Sequence, residues 1–357
     1  MQTPQSITLL EPAPLKQRRQ KKKLIRRLTS DVSQKWRGWF QMAFLMLNLL
    51  IGAQFYLFVR YYESGGRSIP VSRPPGVEGW LPIASLMQLK AFLLTLEMPS
   101  LHPAGMVLLL AFISISFVFR KAFCSWLCPI GTVSEGLWLI GRRLFKRNFA
   151  LPRWIDIPLR SLKYLLLGLF LYAVATMPVT GIRAFLESPY GIIADVKMLN
   201  FFRFLSLTGA IVIGVLIVLS LLIKNFWCRY LCPYGALMGF FAKFSPSRIV
   251  RVPEACIDCG KCTKACPSLI QVDKLIQITS TECTGCYECV AVCPAEGALA
   301  MRFGKKRILS PRLVAAGLAA IFLGFVGMAM LTGHWHSDIP PSVYFDLIPR
   351  AGEFGHP

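Results

Sequence analysis

The hydrophobic positions of this chain are gathered into five long apolar runs separated by polar segments. The runs cover residues 39–59, 104–119, 164–179, 207–223 and 313–332. A helix needs about 20 predominantly apolar residues to cross a bilayer, because each residue rises about 1.5 Å and the hydrocarbon core is about 30 Å thick. The pattern therefore predicts an α-helical integral membrane protein with about five transmembrane helices.

A sixth apolar stretch, residues 80–96, is interrupted by Pro82, Gln88 and Lys90. It is short and polar for a segment that crosses the hydrocarbon region. An apolar stretch of this kind is typical of a helix that lies at the interface or enters the membrane and returns. We therefore predict an interfacial or re-entrant helix here.

Composition and charge place this pattern in a membrane. Of the 357 residues, 54% are hydrophobic, and the formal net charge is +22. The basic residues flank the apolar runs, in segments 1–37, 120–163 and 305–312, which favours membrane lipid over nucleic acid as the partner. Because basic loops remain on the cytoplasmic side, we expect a bacterial inner-membrane protein with its N-terminus in the cytoplasm and its C-terminus outside it.

Residues 256–294 contain two copies of the spacing C-x2-C-x2-C-x3-C-P. Bacterial ferredoxins bind two [4Fe–4S] clusters with this run, and the fourth cysteine of each copy ligates the other cluster. A zinc site needs only four ligands, and a disulfide framework needs an oxidising compartment. The predicted ligands are Cys256, Cys259, Cys262 and Cys293 for one cluster and Cys283, Cys286, Cys289 and Cys266 for the other.

These runs predict an inserted α+β ferredoxin module of the bacterial 2[4Fe–4S] type, with residues 249–252 and 298–303 pairing as its terminal strands. The topology puts this module in the cytoplasm, where thiols stay reduced. Charge and cysteine chemistry therefore favour the same orientation.

The four remaining cysteines form two C-x3-C-P motifs within a repeated sequence. KAFCSWLCPIG at 121–131 matches NFWCRYLCPYG at 225–235 at both cysteines, the proline and the glycine. Each copy follows a predicted span in the same order, so we expect a parallel repeat with an approximate two-fold axis along the membrane normal. The predicted domains are a basic cytoplasmic tail (1–37), a four-helix membrane domain (38–245), the ferredoxin domain (246–304), a fifth transmembrane helix (305–332) and an extracytoplasmic tail (333–357).

The geometry of the two C-x3-C-P motifs has two alternatives. On an α-helix, residues i and i+4 share a face, so each pair would present two thiols side by side. Proline, however, disfavours helical geometry in the residue before it, so Cys128 and Cys232 alternatively mark the point where a helix breaks.

The chemistry of the four cysteines Cys124, Cys128, Cys228 and Cys232 has three alternatives. Four converging thiolates suit a further iron–sulfur cluster or a metal, two separate pairs suit reversible disulfides, and buried cysteine also serves as a small apolar core residue. Because two pairs stand at matching repeat positions, we predict a redox-active or metal-binding site. Nearby basic residues, Arg120, Lys224 and Arg229, would favour thiolate over thiol.

The histidines are candidates for a second kind of site. By the predicted topology, His102 opens the second span and His334 and His336 close the fifth, all at the outer face. A haem or quinol-head site is one interpretation. Ordinary interfacial residues, with Trp335 as a belt anchor, are the other.

The motifs together resemble a known family. Paired C-x3-C-P motifs after membrane helices, followed by a double-cluster module, resemble the NapH/NosR/FixG-type membrane polyferredoxins, and most of all the NapH-like quinol dehydrogenase membrane subunits. The likeness covers about residues 38–303 and rests on CSWLCP, CRYLCPYGAL and the two cluster motifs.

The resemblance implies an electron-transfer subunit of a quinol-linked oxidoreductase complex, with the quinone pool and other redox subunits as partners. FixG-like relatives imply an alternative, a biogenesis factor that reduces a metal or thiol during maturation of a respiratory enzyme. The chain shows no nucleophile–base constellation, P-loop or dinucleotide fingerprint, which favours one-electron relay.

Overall fold

The structure, a computed structural model, describes residues 26–27, 31–304 and 307–356. Most of the predicted basic tail lies outside the described residues. The α-helices are α1 (Ser33–Glu63), α2 (Pro82–Thr95), α3 (Pro103–Val118), α4 (Pro129–Phe145), α5 (Arg153–Thr176), α6 (Val179–Glu187), α7 (Pro189–Ile192), α8 (Ala194–Arg203), α9 (Leu207–Leu222), α10 (Pro233–Lys243), α11 (Lys261–Ala265), α12 (Glu288–Ala291), α13 (Pro311–Leu331) and α14 (Pro341–Leu347). The strands are β1 (Ser247–Arg251), β2 (Leu299–Phe303) and β3 (Arg307–Ile308).

The first helix is longer than its apolar run. α1 begins at Ser33, inside the predicted tail, because its first turns bond to other parts of the protein and not to solvent. Arg37 is buried and Gln41 donates a hydrogen bond to Glu135 on α4. In the middle of the helix, Asn48 accepts one from the indole of Trp80. The polar residues of α1 are therefore satisfied by protein contacts in an apolar setting.

Within the described ranges, three helices are long and apolar enough to cross a membrane: α1, α5 and α13. α8 and α9 together form a fourth candidate, bent by 81° at their junction. The predicted second span is α3, which has only 16 residues and falls short of a full crossing by length. The prediction of five spans therefore stays a prediction.

α3 is the central helix of the structure. Most of its residues are buried, and it packs against α2, α10 and α13. A helix that packs on three other helices has little lipid-exposed surface of its own, so its length need not match the bilayer. The stretch predicted to be interfacial or re-entrant forms α2, which packs on α3 and α5.

The ferredoxin module shares its core with the helices. β1 and β2 pair with each other, as the sequence predicts. They run antiparallel with Ile249 opposite Met301, and β3 extends the sheet beside β2. Ile249 and Met301 belong to one continuous buried cluster with side chains of α3 and α13, including Leu109 and Val314. The cysteine motifs are therefore held directly against the helices.

The last segment of the chain is also packed. The sequence predicts a polar tail from residue 333, but α14 lies against the end of α1, where Tyr344 meets Phe58 edge-on with ring centroids 5.2 Å apart. Tyr344, Leu347 and Ile348 are buried in this contact. Although the tail is polar in composition, the aromatic residues of both segments bury enough apolar area for it to pack.

Candidate iron–sulfur electron-transfer site

Four of the ferredoxin cysteines surround one small pocket. Its wall contains Cys266 from the first motif and Cys283, Cys286 and Cys289 from the second, and the rest is mainly apolar. Gly285 and Tyr287 have φ of 62° and 61°, which turns the backbone of the second motif around the pocket. Four thiols in an apolar wall are the donor set of a [4Fe–4S] cluster, and this grouping fits the predicted crossing ligand.

The other four ferredoxin cysteines form a second group nearer the surface. Cys262 lies within electrostatic range of Cys256 and Cys293, and Cys293 within range of Cys256 and Cys259. Cys262 is buried, whereas Cys259 is exposed. One group of thiols is therefore enclosed and the other reaches the protein surface.

The two C-x3-C-P motifs adopt the same local structure. Residues Phe123–Leu127 and Trp227–Leu231 each form one π-helical turn. Cys128 and Cys232 then adopt extended backbone angles, and the prolines that follow begin α4 and α10. The second of the two predicted geometries is thus the observed one, because a proline at the first helical position excludes a helical residue before it.

All four C-x3-C-P cysteines line one cavity, which we call the central cavity, of about 1030 Å³. We call Cys124, Cys128, Cys228 and Cys232 the cysteine quartet. All are free thiols, and no three His, Cys, Asp or Glu side chains among the described residues are close enough for a single metal ion. The same holds for the ferredoxin cysteines. The quartet therefore remains a predicted redox-active or metal-binding site whose four thiols line one cavity.

Burial has a larger effect than neighbouring charge on the pKa of the quartet thiols. Burial raises the pKa of Cys124 to about 11 and that of Cys228 to about 12. The prediction that Arg120, Lys224 and Arg229 favour thiolates is wrong, because these cations bond elsewhere. Arg120 donates to the carbonyl of Ser280, Lys224 to that of Lys264, and Arg229 to the carboxylate of Asp156.

The second ferredoxin motif sits directly on the first π-turn. Ser125 Oγ donates to the carbonyl of Thr284 over 2.7 Å, and the indole nitrogen of Trp126 donates to that of Gly285 over 3.2 Å. Cys286, at the end of the same loop, lines the central cavity together with the quartet. The enclosed ferredoxin pocket and the quartet are therefore adjacent.

A buried charge cluster lies across this junction. Lys163 on α5 is fully buried, and its Nζ donates to both oxygens of Glu282 at 2.7 Å. Tyr164 donates to Glu282 over 3.0 Å, and Lys121 lies 3.9 Å away. Although burial alone would raise the pKa of Glu282, the two lysines bring it down to about 2. Sequence reasoning missed this cluster, because no local pattern links Lys163 to Glu282.

A second ion-pair network holds α1 to the module. Arg37 forms a two-pronged ion pair with Glu135, both distances being 2.6 Å, and also contacts Glu288 at 2.8 Å. Gln34 donates to the carbonyl of Cys286 over 3.0 Å. Bidentate Arg–carboxylate pairs are directional, so this network fixes how α1 meets the second motif.

The predicted histidine site is largely a hydrogen-bonded network. His102 is buried, and its Nδ1 lies 2.9 Å from Arg73 and its Nε2 3.2 Å from the carbonyl of Gly191. Its backbone N–H donates to the hydroxyl of Ser337, which follows His336, so the two segments are in contact. Because both ring nitrogens of His102 have protein partners, its geometry fits a structural role better than haem ligation.

The central cavity extends far beyond the quartet. On α1, its wall runs from Arg37 to Gln54, about 25 Å at 1.5 Å per residue. The far end is lined by Arg73 and His336. Leu47 and Ile83 on the side wall are 41% and 38% exposed, so the cavity opens sideways onto the apolar surface.

Helices of membrane-spanning length joined to a cysteine-rich ferredoxin fold define a membrane-bound, ferredoxin-type iron–sulfur protein of electron transport. Comparison with known proteins agrees: a 4Fe-4S binding domain model matches residues 101–148 and 205–252, and a 4Fe-4S dicluster domain model matches 248–297. YccM of Escherichia coli strain K12, provisionally named an electron transport protein, is 49% identical over 90% of this chain and 92% of its own. The chain belongs to the NapH/NosR-type family of membrane polyferredoxins.

More distant relatives cover only part of the chain. The ferredoxin-type protein NapH of Escherichia coli is 28% identical over 49% of this chain and 59% of its own. The protein NirI of Paracoccus denitrificans is 30% identical over 50% of this chain and 26% of its own. No solved structure shows a significant match.

Proposed function

We propose that the chain relays electrons between the membrane quinone pool and a respiratory redox partner, as a subunit of a quinol-linked oxidoreductase complex. The observation that carries this proposal is the contact between the 283–286 loop and the first π-turn. Through this contact, Cys286 and the cysteine quartet line one cavity. The similarity to YccM and NapH supports electron transport as the general role.

The cysteines of the module would hold two [4Fe–4S] clusters, one by Cys256, Cys259, Cys262 and Cys293 and the other by Cys283, Cys286, Cys289 and Cys266. The quartet would hold a further redox centre, and its place beside Cys286 on one cavity wall supports this. When bound, the clusters supply one-electron transfer, which allows a two-electron donor such as a quinol to serve a one-electron partner.

The three cysteine groups lie in a sequence from the central cavity to the protein surface. The quartet lies on the central cavity, the group around Cys266 is enclosed, and the group containing Cys259 reaches the surface. The ion pairs Lys163–Glu282 and Arg37–Glu288 hold the enclosed group around Cys266 against the helices. This order supports entry or exit of electrons at the cavity and at the exposed edge of the module.

The proposed topology has five crossings: α1, α3, α5, α9 and α13. The basic segments support a cytoplasmic N-terminus and ferredoxin module, an extracytoplasmic C-terminus and the domain limits given above. Matching π-turns followed by proline-started helices support the parallel repeat. Reporter fusions after residues 150, 270 and 345 test the arrangement, and a fusion active outside the cytoplasm at residue 270 would contradict it.

The relay is tested on the purified full-length protein by iron and sulfide analysis and by electron paramagnetic resonance during reduction with quinol. We expect about eight iron atoms from the module and about four more from a third [4Fe–4S] centre. Paired Cys124→Ser and Cys228→Ser exchange should remove the additional iron alone. A deletion strain separates the alternative role in maturation, because a relay subunit leaves the terminal enzyme fully metallated, whereas loss of its metal would contradict the relay.

A further inference from the structure

Tyr234 lies where the cysteine quartet meets the apolar part of the central cavity. It stands in the first turn of α10, and its ring meets that of Phe123 edge-on with centroids 5.9 Å apart. It lies within electrostatic range of Cys124, Cys128 and Cys232. Its side chain forms part of the cavity wall.

The hydroxyl of Tyr234 has no hydrogen-bond partner in the part of the chain that the structure describes. Buried tyrosine hydroxyls usually have one. Those of the buried Tyr230 and Tyr287 donate to Asp156 and the carbonyl of Leu309, respectively. The matching residue of the first repeat is Ile130, which has no polar group. A donor without a protein partner on a cavity wall indicates a ligand acceptor.

The shape of the cavity indicates what that ligand is. The wall is mainly apolar, follows α1 for about 25 Å and opens sideways at Leu47 and Ile83. A ligand that enters from the bilayer and fills this space has a long apolar tail and a compact polar head. Lys121, near the head, is already compensated by Glu282, so an anionic phospholipid head would gain little there.

We propose that the central cavity binds an isoprenoid quinone, with the hydroxyl of Tyr234 donating a hydrogen bond to a quinone carbonyl oxygen beside the cysteine quartet. The tail then follows α1 towards Leu47 and Ile83. The inference rests on the proposed relay function and adds the place and the contact by which the quinone is bound. It is a binding site, and its test requires no turnover.

The test uses the detergent-purified, cluster-loaded chain and the fluorescent quinone analogue heptyl-hydroxyquinoline N-oxide. We expect saturable quenching, with the Kd raised about three- to tenfold in Tyr234→Phe, as the loss of one hydrogen bond predicts. Ile83→Trp, which fills the lateral opening, should weaken binding as well. Tyr172→Phe is the matched control, because Tyr172 is exposed on α5 and outside the cavity wall.

Iron content and the resonance spectrum of each variant show whether its clusters are intact. Photolabelling with an azidoquinone, mapped by mass spectrometry on the unmodified chain, provides a test independent of the variants and should label peptides within 123–130 or 227–237. Unchanged affinity in Tyr234→Phe, absence of saturable binding, or labelling elsewhere would overturn the proposal. If the analogue binds as expected but quinol reduces no cluster, the relay function is wrong and the binding site stands.

Discussion

Replacement of Glu282 by glutamine is the sharpest perturbation of the junction between helices and ferredoxin module. The carboxylate compensates Lys163, which is fully buried, and Lys121, which is 4% exposed. The amide preserves size and most hydrogen-bonding capacity, so the change isolates the charge. Two buried ammonium groups would then share no counter-charge.

The expected loss of stability is large. Removing one partner of a buried ion pair costs about 3–5 kcal/mol, because the remaining charge stays desolvated and unpaired. Glu282 serves two lysines, so we expect the upper half of that range. Lys163→Met should cost less, because Glu282 keeps Lys121 and the hydroxyl of Tyr164.

The assay is denaturant-induced unfolding in detergent, followed by cluster absorbance and by proteolysis between α10 and β1. The matched control is Glu97→Gln, which breaks the exposed pair with Arg183 and should cost at most about 1 kcal/mol. If Glu282→Gln unfolds at the same denaturant concentration as Glu97→Gln, the junction is not held by this charge cluster. A larger loss in Lys163→Met than in Glu282→Gln would also contradict the reasoning.

Two further predictions concern the π-turn and the outer network. A Cβ on Gly131 would lie 2.2 Å from the carbonyl oxygen of Cys124, whereas one on Gly235 would meet nothing nearer than 3.5 Å. Gly131→Ala should therefore reduce iron content and stability while Gly235→Ala retains both, and equal behaviour would refute the packing. Although burial alone would raise it, His102 and Arg73 bring the pKa of Glu78 down to about 2 from 4.5. Its contribution to stability is thus present above pH 4.5 and is lost as the pH falls towards 2, a slope in chemical unfolding that Glu78→Gln should remove.

The parts of the fold that the sequence predicted are those with local signals. Cysteine spacing predicts a crossing ligand within each copy of the motif, and the four thiols assigned to one cluster line the enclosed pocket, although the cluster ligands themselves stay a prediction. Strand pairing of β1 with β2 followed from the position of the strands at the two ends of the module. The prolines indicated the break at Cys128 and Cys232 as one of two alternatives, and it is the observed one, because the effect of proline on the preceding residue is steric and immediate.

The parts that the sequence did not predict depend on distant partners. Lys163 and Glu282 are separated by more than a hundred positions, and each alone resembles an ordinary charged residue. The bend between α8 and α9 and the packing of α14 on α1 likewise require knowledge of neighbours. The prediction that basic neighbours favour thiolates was wrong for the same reason. Arg229 stands beside Cys228 in sequence, but its guanidinium pairs with Asp156.

The two C-x3-C-P copies contact different cluster motifs of the ferredoxin module. The first copy donates from Ser125 and Trp126 to the second cluster motif. The second copy donates from Arg229 to the carbonyl of Ser268 over 2.6 Å, just after the crossing cysteine and proline of the first motif. Both contacted segments border the enclosed pocket, whose four cysteines come from both motifs. The segments that carry the four cysteines of the enclosed pocket are therefore contacted by both C-x3-C-P copies. Any movement of one copy relative to the other would change the distances between these cysteines. In the proposed relay, this arrangement would keep the distance between the central cavity and the enclosed pocket constant.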